Sequence, residues 1–413
     1  MSDRPAAHHD SQMAVTEGFL SRAIPGLLEF RRDMHAHPEL GRSEVRATAA
    51  IVRTLSEAGL DPVVLPGGTG LWCDIGTGPD VVALRADIDA LPIEDTKTGA
   101  PYRSTVPGIC HACGHDVHTA GLLGAGLALA NLEREGTLPG RVRLVFEPAE
   151  EANPPGALDM LAADALLDVR RIFALHCDPR LDVGQVGLRT GALTGSSDHV
   201  HVWVSSAGGH TARPHLTGDV VYALAKVITD VPAALSRRVD PRAALSMVWG
   251  HVEAGHVANV IPLLGFAEGT VRSLDRRAWE MAPGLVTDCI TAIASAYAVE
   301  VRIEYLRGVP PVINDAGGID VFRRATTDLV GGEVVEVEQS LGGESFAWYL
   351  EHVPGALARL GVRTPGSMTV TDLHQGDFEA DEAAVLVAAR LLTATALVAL
   401  ADLQQVPARS SKA

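Results

Sequence analysis

The sequence predicts an α/β protein: a mixed sheet flanked by helices, interrupted by a second, α+β domain of ferredoxin-like order. Three observations carry this. Apolar runs near 81–84, 141–146 and 171–175 each lead into carboxylates or histidine, as in an α/β core that gathers its ligands at strand ends. Between 197 and 311 the expected element order becomes β-α-β-β-α-β, that of a ferredoxin-like unit. At 413 residues the chain has material for two or three domains. The expected organisation is a discontinuous first domain, 1–196 with 312–413, and an inserted domain, 197–311.

Phe19, Leu20, Ile24, Leu27, Leu28 and Phe30 partly trace one helical face, predicting a helix over 15–34 with a break at Ile24-Pro25. A loop over 35–40 precedes a second helix that starts at Ser43-Glu44 and ends near Leu60. Strands are expected at 63–65, 71–75 and 81–84. Asp116 is the expected N-cap of a helix over 117–132. The strand over 141–146 runs into Glu147-Pro148-Ala149-Glu150-Glu151, where proline stops ordinary ladder pairing. A helix over 157–167 then leads to a strand over 171–175, with His176-Cys177-Asp178-Pro179 beyond its end.

The inserted domain begins with the alternating run His199 to Val204, a half-exposed strand. A helix at 220–235, strands at 244–252 and 266–271, a helix at 275–297 and a strand at 300–305 follow. Helices at 319–329, 344–350 and 382–400 with a strand at 356–360 complete the first domain. The polar tail from Gln404 is expected to be frayed.

A net charge of −17 provides no global field for nucleic acid or an anionic membrane. No apolar run is expected to reach the roughly 18 residues of a membrane span. Five cysteines, at 73, 110, 113, 177 and 289, are too few and oddly numbered for a disulfide framework. Together with a start that lacks a basic-then-apolar signal, they make a reducing cytoplasm the expected location.

The chemistry concentrates in Cys110-His111-Ala112-Cys113-Gly114-His115-Asp116-Val117-His118, six potential metal ligands in nine residues. In extended backbone His111, Cys113 and His115 would share a face. Asp87 and Asp89 follow an apolar strand, and Asp89 is expected to bind metal or to support a ligand. With Glu151, His176 and His374, the mixed His, Cys and carboxylate set describes an open catalytic site rather than a closed structural one. Five or more ligands exceed what one tetrahedral ion uses and fit two ions better. Glu150 and Glu151 are adjacent and cannot both aim at one ion with the same geometry, so one can bind metal while the other faces its water as general base.

The whole set resembles the di-metal aminoacylase/carboxypeptidase-type metallopeptidases, in their N-acyl-amino-acid amidohydrolase branch with hippurate and auxin-conjugate hydrolases. The resemblance spans about 34–400. It is carried by His35-Ala36-His37-Pro38-Glu39-Leu40, Leu84 to Pro92, His111 to Asp116, Pro148 to Glu151, Gly208-Gly209-His210, Asn259-Val260-Ile261-Pro262 and Leu373-His374. It implies Cys113, His115, Glu151, His176 and His374 as ligands of two divalent ions, zinc or manganese, with cobalt or nickel also able to occupy such sites. It implies Glu150 as general base, His210 as the group polarising the scissile carbonyl, and Asn259 and Arg272 as substrate contacts. The implied reaction is hydrolysis of a small N-acyl amino acid by a metal-bridged hydroxide, in a homodimer or higher homo-oligomer formed through the inserted domain. A dipeptidase or carboxypeptidase with the same ions is the alternative within the enzymes. A non-catalytic, metal-stabilised binding protein is the alternative outside them. Cys110 stands where relatives usually carry methionine and adds a thiol that could oxidise or bind metal. His37, His118 and Cys177 are expected to support or pack rather than ligate.

Overall fold

The computed structural model describes residues 4–368 and 371–405, so the tail expected from Gln404 lies almost wholly outside the described residues. The chain divides into two compact units, residues 1–191 with 313–338 and 348–413, and residues 192–312 with 339–347.

The first unit is built on an eight-stranded mixed sheet. Its order is Val63–Val64, Leu71–Ile75, Arg141–Glu147, Val81–Asp87, Val169–Asp182, Gly355–Arg363, Gln185–Leu188 and Glu333–Glu336. The central strands Arg141–Glu147, Val81–Asp87, Val169–Asp182 and Gly355–Arg363 pair in parallel. They are near-continuously buried, as strands covered on both faces must be. The helices Arg4–Ala36, His115–Arg134 and Ala383–Gln405 pack together, burying Leu20, Leu27, Leu122, Leu129, Leu391 and Leu397 in one core with the sheet residues Leu84, Leu144 and Phe173.

The expected break at Pro25 is absent: Arg4–Ala36 runs through it as one helix. Proline removes one backbone donor, but the face carrying Leu20, Leu27 and Met34 is clamped by two helices, and tertiary packing outweighs the local loss. Ala383–Gln405 corrects a second expectation. Among the described residues it is one helix long and apolar enough to cross a membrane, yet most of its apolar stretch is buried in this core.

Two further corrections concern the site. His176 lies inside a strand, Val169–Asp182, not beyond it. On one side the ladder with Val81–Asp87 ends at Arg85↔Ala174. On the other, Gly355–Arg363 keeps pairing through Arg359↔His176 and Leu360↔Cys177. The sheet therefore opens beside His176. The Cys/His stretch is not extended either: it turns, and the helix starts at His115 with Gly114 at its N-cap in left-handed backbone, φ 81°. Asp116 sits in the first turn rather than capping it, because its carboxylate is taken by Arg31 (2.6 Å) and His35 (2.8 Å).

The second unit carries a four-stranded antiparallel sheet, Ser246–Ala254, Leu264–Arg272, Ser197–Ser205 and Glu300–Val309 in that order. With the helices Val220–Arg238 and Arg276–Ala294 the chain order is β-α-β-β-α-β. Strict alternation in Ser197–Ser205 sends Val200, Val202 and Val204 to a core with Val227, Val231, Val286 and Ile290.

Candidate metal centre

Distinct local devices deliver the candidate ligands. Gly114 supplies the positive-φ turn that lets Cys113 and His115 face the same space. A Cβ at Gly114 would stand 2.7 Å from the Cys177 sulfur, so only glycine lets this turn approach the strand. Ala149, at φ 52°, turns the chain after Pro148, its amide donating to Glu44 Oε1 at 2.6 Å. The His374 amide donates to the Ala112 carbonyl (2.8 Å), which pins the last ligand loop to the first.

The donor atoms converge. Cys113, His115 and His176 offer atoms within 4.8 Å of one another, as do Cys113, Glu151 and His374, and His115, Glu150 and Glu151. Cys113 belongs to two of these groups and Glu151 to two. Cys113 Sγ lies 3.5 Å from His176 Nε2, and Glu151 Oε1 lies 3.0 Å from His374 Nε2.

Hydrogen bonds at the far side of the His115 and His176 imidazoles fix which nitrogen faces inward. His115 Nδ1 donates toward the Asp89 carbonyl (2.9 Å) and Asp89 Oδ1 (3.2 Å). Its buried Nε2 has no hydrogen-bond partner. His176 Nδ1 donates to the Cys177 carbonyl at 2.9 Å, leaving Nε2 toward Cys113. A metal-binding histidine needs this tautomer, with the remote nitrogen protonated and engaged. Asp89 also accepts the Glu151 amide through Oδ2 at 3.0 Å, tying two ligand loops with one carboxylate.

The electrostatics fit a cation. Burial pushes the Cys113 thiol up and holds His176 well below its ordinary range. Burial opposes the charge on Glu151 too, but His374 and His115 bring it below the usual carboxylate value. A buried thiol, an orphaned imidazole nitrogen and adjacent glutamates form a set that a dication would complete.

A fourth group, Asp87, His115 and His118, is also within 4.8 Å, but its members are otherwise engaged. His118 Nδ1 bonds Asp87 Oδ1 at 2.7 Å and its Nε2 accepts the Cys177 amide at 2.8 Å. Asp87 Oδ2 accepts from Arg85 at 2.7 Å. Burial opposes the Asp87 charge, but His115, Arg85 and His118 hold its carboxyl well below the usual range. The pairing of Asp87 with His118 escaped the sequence, where the two stand 31 positions apart.

His111 is buried 6.1 Å (ring to ring) from His35 and belongs to none of these groups, which corrects the one-face expectation. Burial lowers it to about 3. Cys110 lies in a small apolar cluster with Leu91 and Ala112, its thiol pushed up to about 11 by burial, so it is a poor nucleophile at neutral pH. His37 is a surface residue bonded to the Asp33 carbonyl. In the second unit His210 lies on Gly209–His210, paired with Val260–Ile261, which places it beside Asn259. Its Nδ1 accepts the Ala212 amide at 3.0 Å, so the proton sits on Nε2. Arg272 donates to the Leu341 carbonyl at 2.6 Å.

The model for peptidase family M20/M25/M40 matches residues 83–398. The chain belongs to this family. A Bacillus subtilis N-acetyl-L-cysteine deacetylase is 37% identical over 378 residues, covering 90% of this chain and 88% of that protein. A Bacillus subtilis protein described as a dinuclear metal binding peptidase from the M20 family superposes with a TM-score of 0.79 at 33% identity, over 93% of this chain and 99% of that one. A Rhodococcus jostii protein provisionally named glutamate–cysteine ligase 2-3 is 52% identical over 371 residues. The match covers 89% of this chain, but the chain spans only 46% of that relative. As a member of this peptidase family the chain is a hydrolase acting on amides.

Proposed function

We propose that the protein hydrolyses N-acyl amino acids, with two divalent ions held by Cys113, His115, Glu151, His176 and His374. The observation that carries this is the sharing of Cys113 and Glu151 among three donor groups, one of which includes Glu150. When bound, the ions would supply Lewis acidity and water of lowered pKa. The thiolate favours zinc, and manganese, cobalt or nickel suit the nitrogen and oxygen donors.

The chain's own residues do the rest. Glu150 takes a proton from the attacking water and returns it to the amine as the C–N bond breaks, giving a carboxylic acid and an amino acid. His210, with its proton on Nε2, suits a donor to the carbonyl oxygen, where charge develops. Asn259, next to its ladder partner Val260, and Arg272 would contact the substrate. Asp89 holds His115 and the Glu151 loop in register.

Two relatives direct the first choice of substrate. One is named N-acetyl-L-cysteine deacetylase, and the other carries the provisional name glutamate–cysteine ligase. N-acetylcysteine therefore leads the panel. The test is product release from acyl-amino acids and dipeptides after loading zinc, manganese, cobalt or nickel. Preference for dipeptides with a free α-amine would turn the assignment to a dipeptidase. No turnover with any metal, alongside loss of stability on chelation, would reduce the ions to structural ones.

We further propose a cytoplasmic protein, in keeping with five free, buried cysteines. The outer strands of the second unit's sheet, Ser246–Ala254 and Glu300–Val309, offer edges for a homodimer or higher homo-oligomer, which light scattering measures.

A further inference from the structure

The sheet opens beside His176, and what fills the opening is a buried polar relay. Past Ala174, the Cys177 amide has lost the neighbouring strand Val81–Asp87 as a partner on that side. His118, from the second turn of the helix His115–Arg134, supplies the missing acceptor: its Nε2 takes the Cys177 N–H at 2.8 Å. The ring is held from behind by Asp87 Oδ1 at 2.7 Å. Asp87 in turn is held by Arg85 (2.7 Å), Arg85 by Glu147 (2.7 Å), and Glu147 by the Tyr349 hydroxyl (3.0 Å). The three charged side chains are completely enclosed. Apolar residues would fill this volume at lower desolvation cost, so the relay's contribution is directional rather than stabilising.

That direction matters because of where the relay ends. The N–H that His118 holds belongs to the His176–Cys177 peptide, and the Cys177 carbonyl, in the next peptide, accepts from His176 Nδ1 at 2.9 Å. The imidazoles of His118 and His176 stand 5.0 Å apart. We infer that His118 is a positioning residue: by anchoring the Cys177 peptide, it sets the direction from which His176 Nε2 enters the metal centre. This rests on the proposed role of His176 as a ligand.

The test uses the full-length protein, freed of metal and titrated with cobalt. The readouts are affinity against a chromophoric chelator and the cobalt d–d and thiolate charge-transfer bands. His118→Phe keeps the ring but neither bond, whereas His118→Gln places an acceptor and a donor on one amide that reaches both partners. The expected result is an affinity loss of about 10–100-fold with shifted bands for His118→Phe. His118→Gln should recover most of both. Cobalt binding by His118→Phe within twofold of wild type, with unchanged bands, would overturn the inference while leaving the metal centre intact. Wild-type protein with no cobalt–thiolate band would overturn both. Should His118→Phe fail to fold, His118→Asn serves: it still reaches Asp87 but is too short for Cys177. Asn and Gln variants of equal affinity would then overturn the inference.

Discussion

Gly114→Ala puts the site's construction to a direct test. The residue sits between two proposed ligands, at φ 81°, and a methyl group there would stand 2.7 Å from Cys177 Sγ and 3.1 Å from its Cβ. Left-handed backbone costs a non-glycine residue about 1 kcal/mol. Overpacking against a buried strand that cannot retreat adds about 1–3 kcal/mol. The expected destabilisation is therefore about 2–4 kcal/mol, read as a lower urea midpoint of the metal-free protein. Relief of the clash requires the turn to move away from Val169–Asp182, carrying Cys113 and His115 away from His176. Cobalt affinity should consequently fall as well, by about tenfold or more. A Gly114→Ala protein within about 0.5 kcal/mol of wild type that binds cobalt normally would refute the claim that this turn is sterically fixed.

Three further outcomes are expected. Glu150→Gln should retain its metal content, measured by elemental analysis, while turnover falls by about 10²–10⁴; unchanged turnover in loaded protein would remove Glu150 as the base. Asp89→Ala removes the acceptor shared by His115 and the Glu151 amide, so metal affinity should fall about 10–100-fold in chelator competition. Asp95→Asn concerns stability against pH. Burial opposes the Asp95 charge, but His35, the Ser104 and Lys97 amides and the Lys97 ammonium hold it well below the usual range. A depressed carboxylate stabilises the fold above its unfolded value near 4, and that contribution is lost as pH falls toward its folded value. The gap between wild type and Asp95→Asn in urea midpoint should thus be full at pH 7 and narrow below about pH 4. A gap independent of pH would assign the effect to lost hydrogen bonds alone.

Candidate donors were legible in the sequence because metal-binding side chains are few in kind and their chemistry is local: a thiol, imidazoles and paired glutamates mean much the same in any fold. The strand Ser197–Ser205 was legible from its alternation, where one buried face imposes a period of two. Elements whose fate depends on a distant partner were misread. The helix through Pro25 is sustained by two other helices, and Asp116 is drawn from capping by Arg31, 85 residues away. His176 remains in a strand because its neighbour beginning at Gly355 continues to pair.

The sequence by itself determined which side chains could bind metal and set Glu150 and Glu151 side by side. Only the tertiary structure decided which nitrogen of His115 and of His176 faces inward, since that is set by the Asp89 and Cys177 carbonyls. It also decided that His118, chemically equal to its neighbours, is spent on Asp87 and a backbone amide. The physical reason is that composition fixes what a donor is, whereas burial and hydrogen bonding fix where its lone pair points.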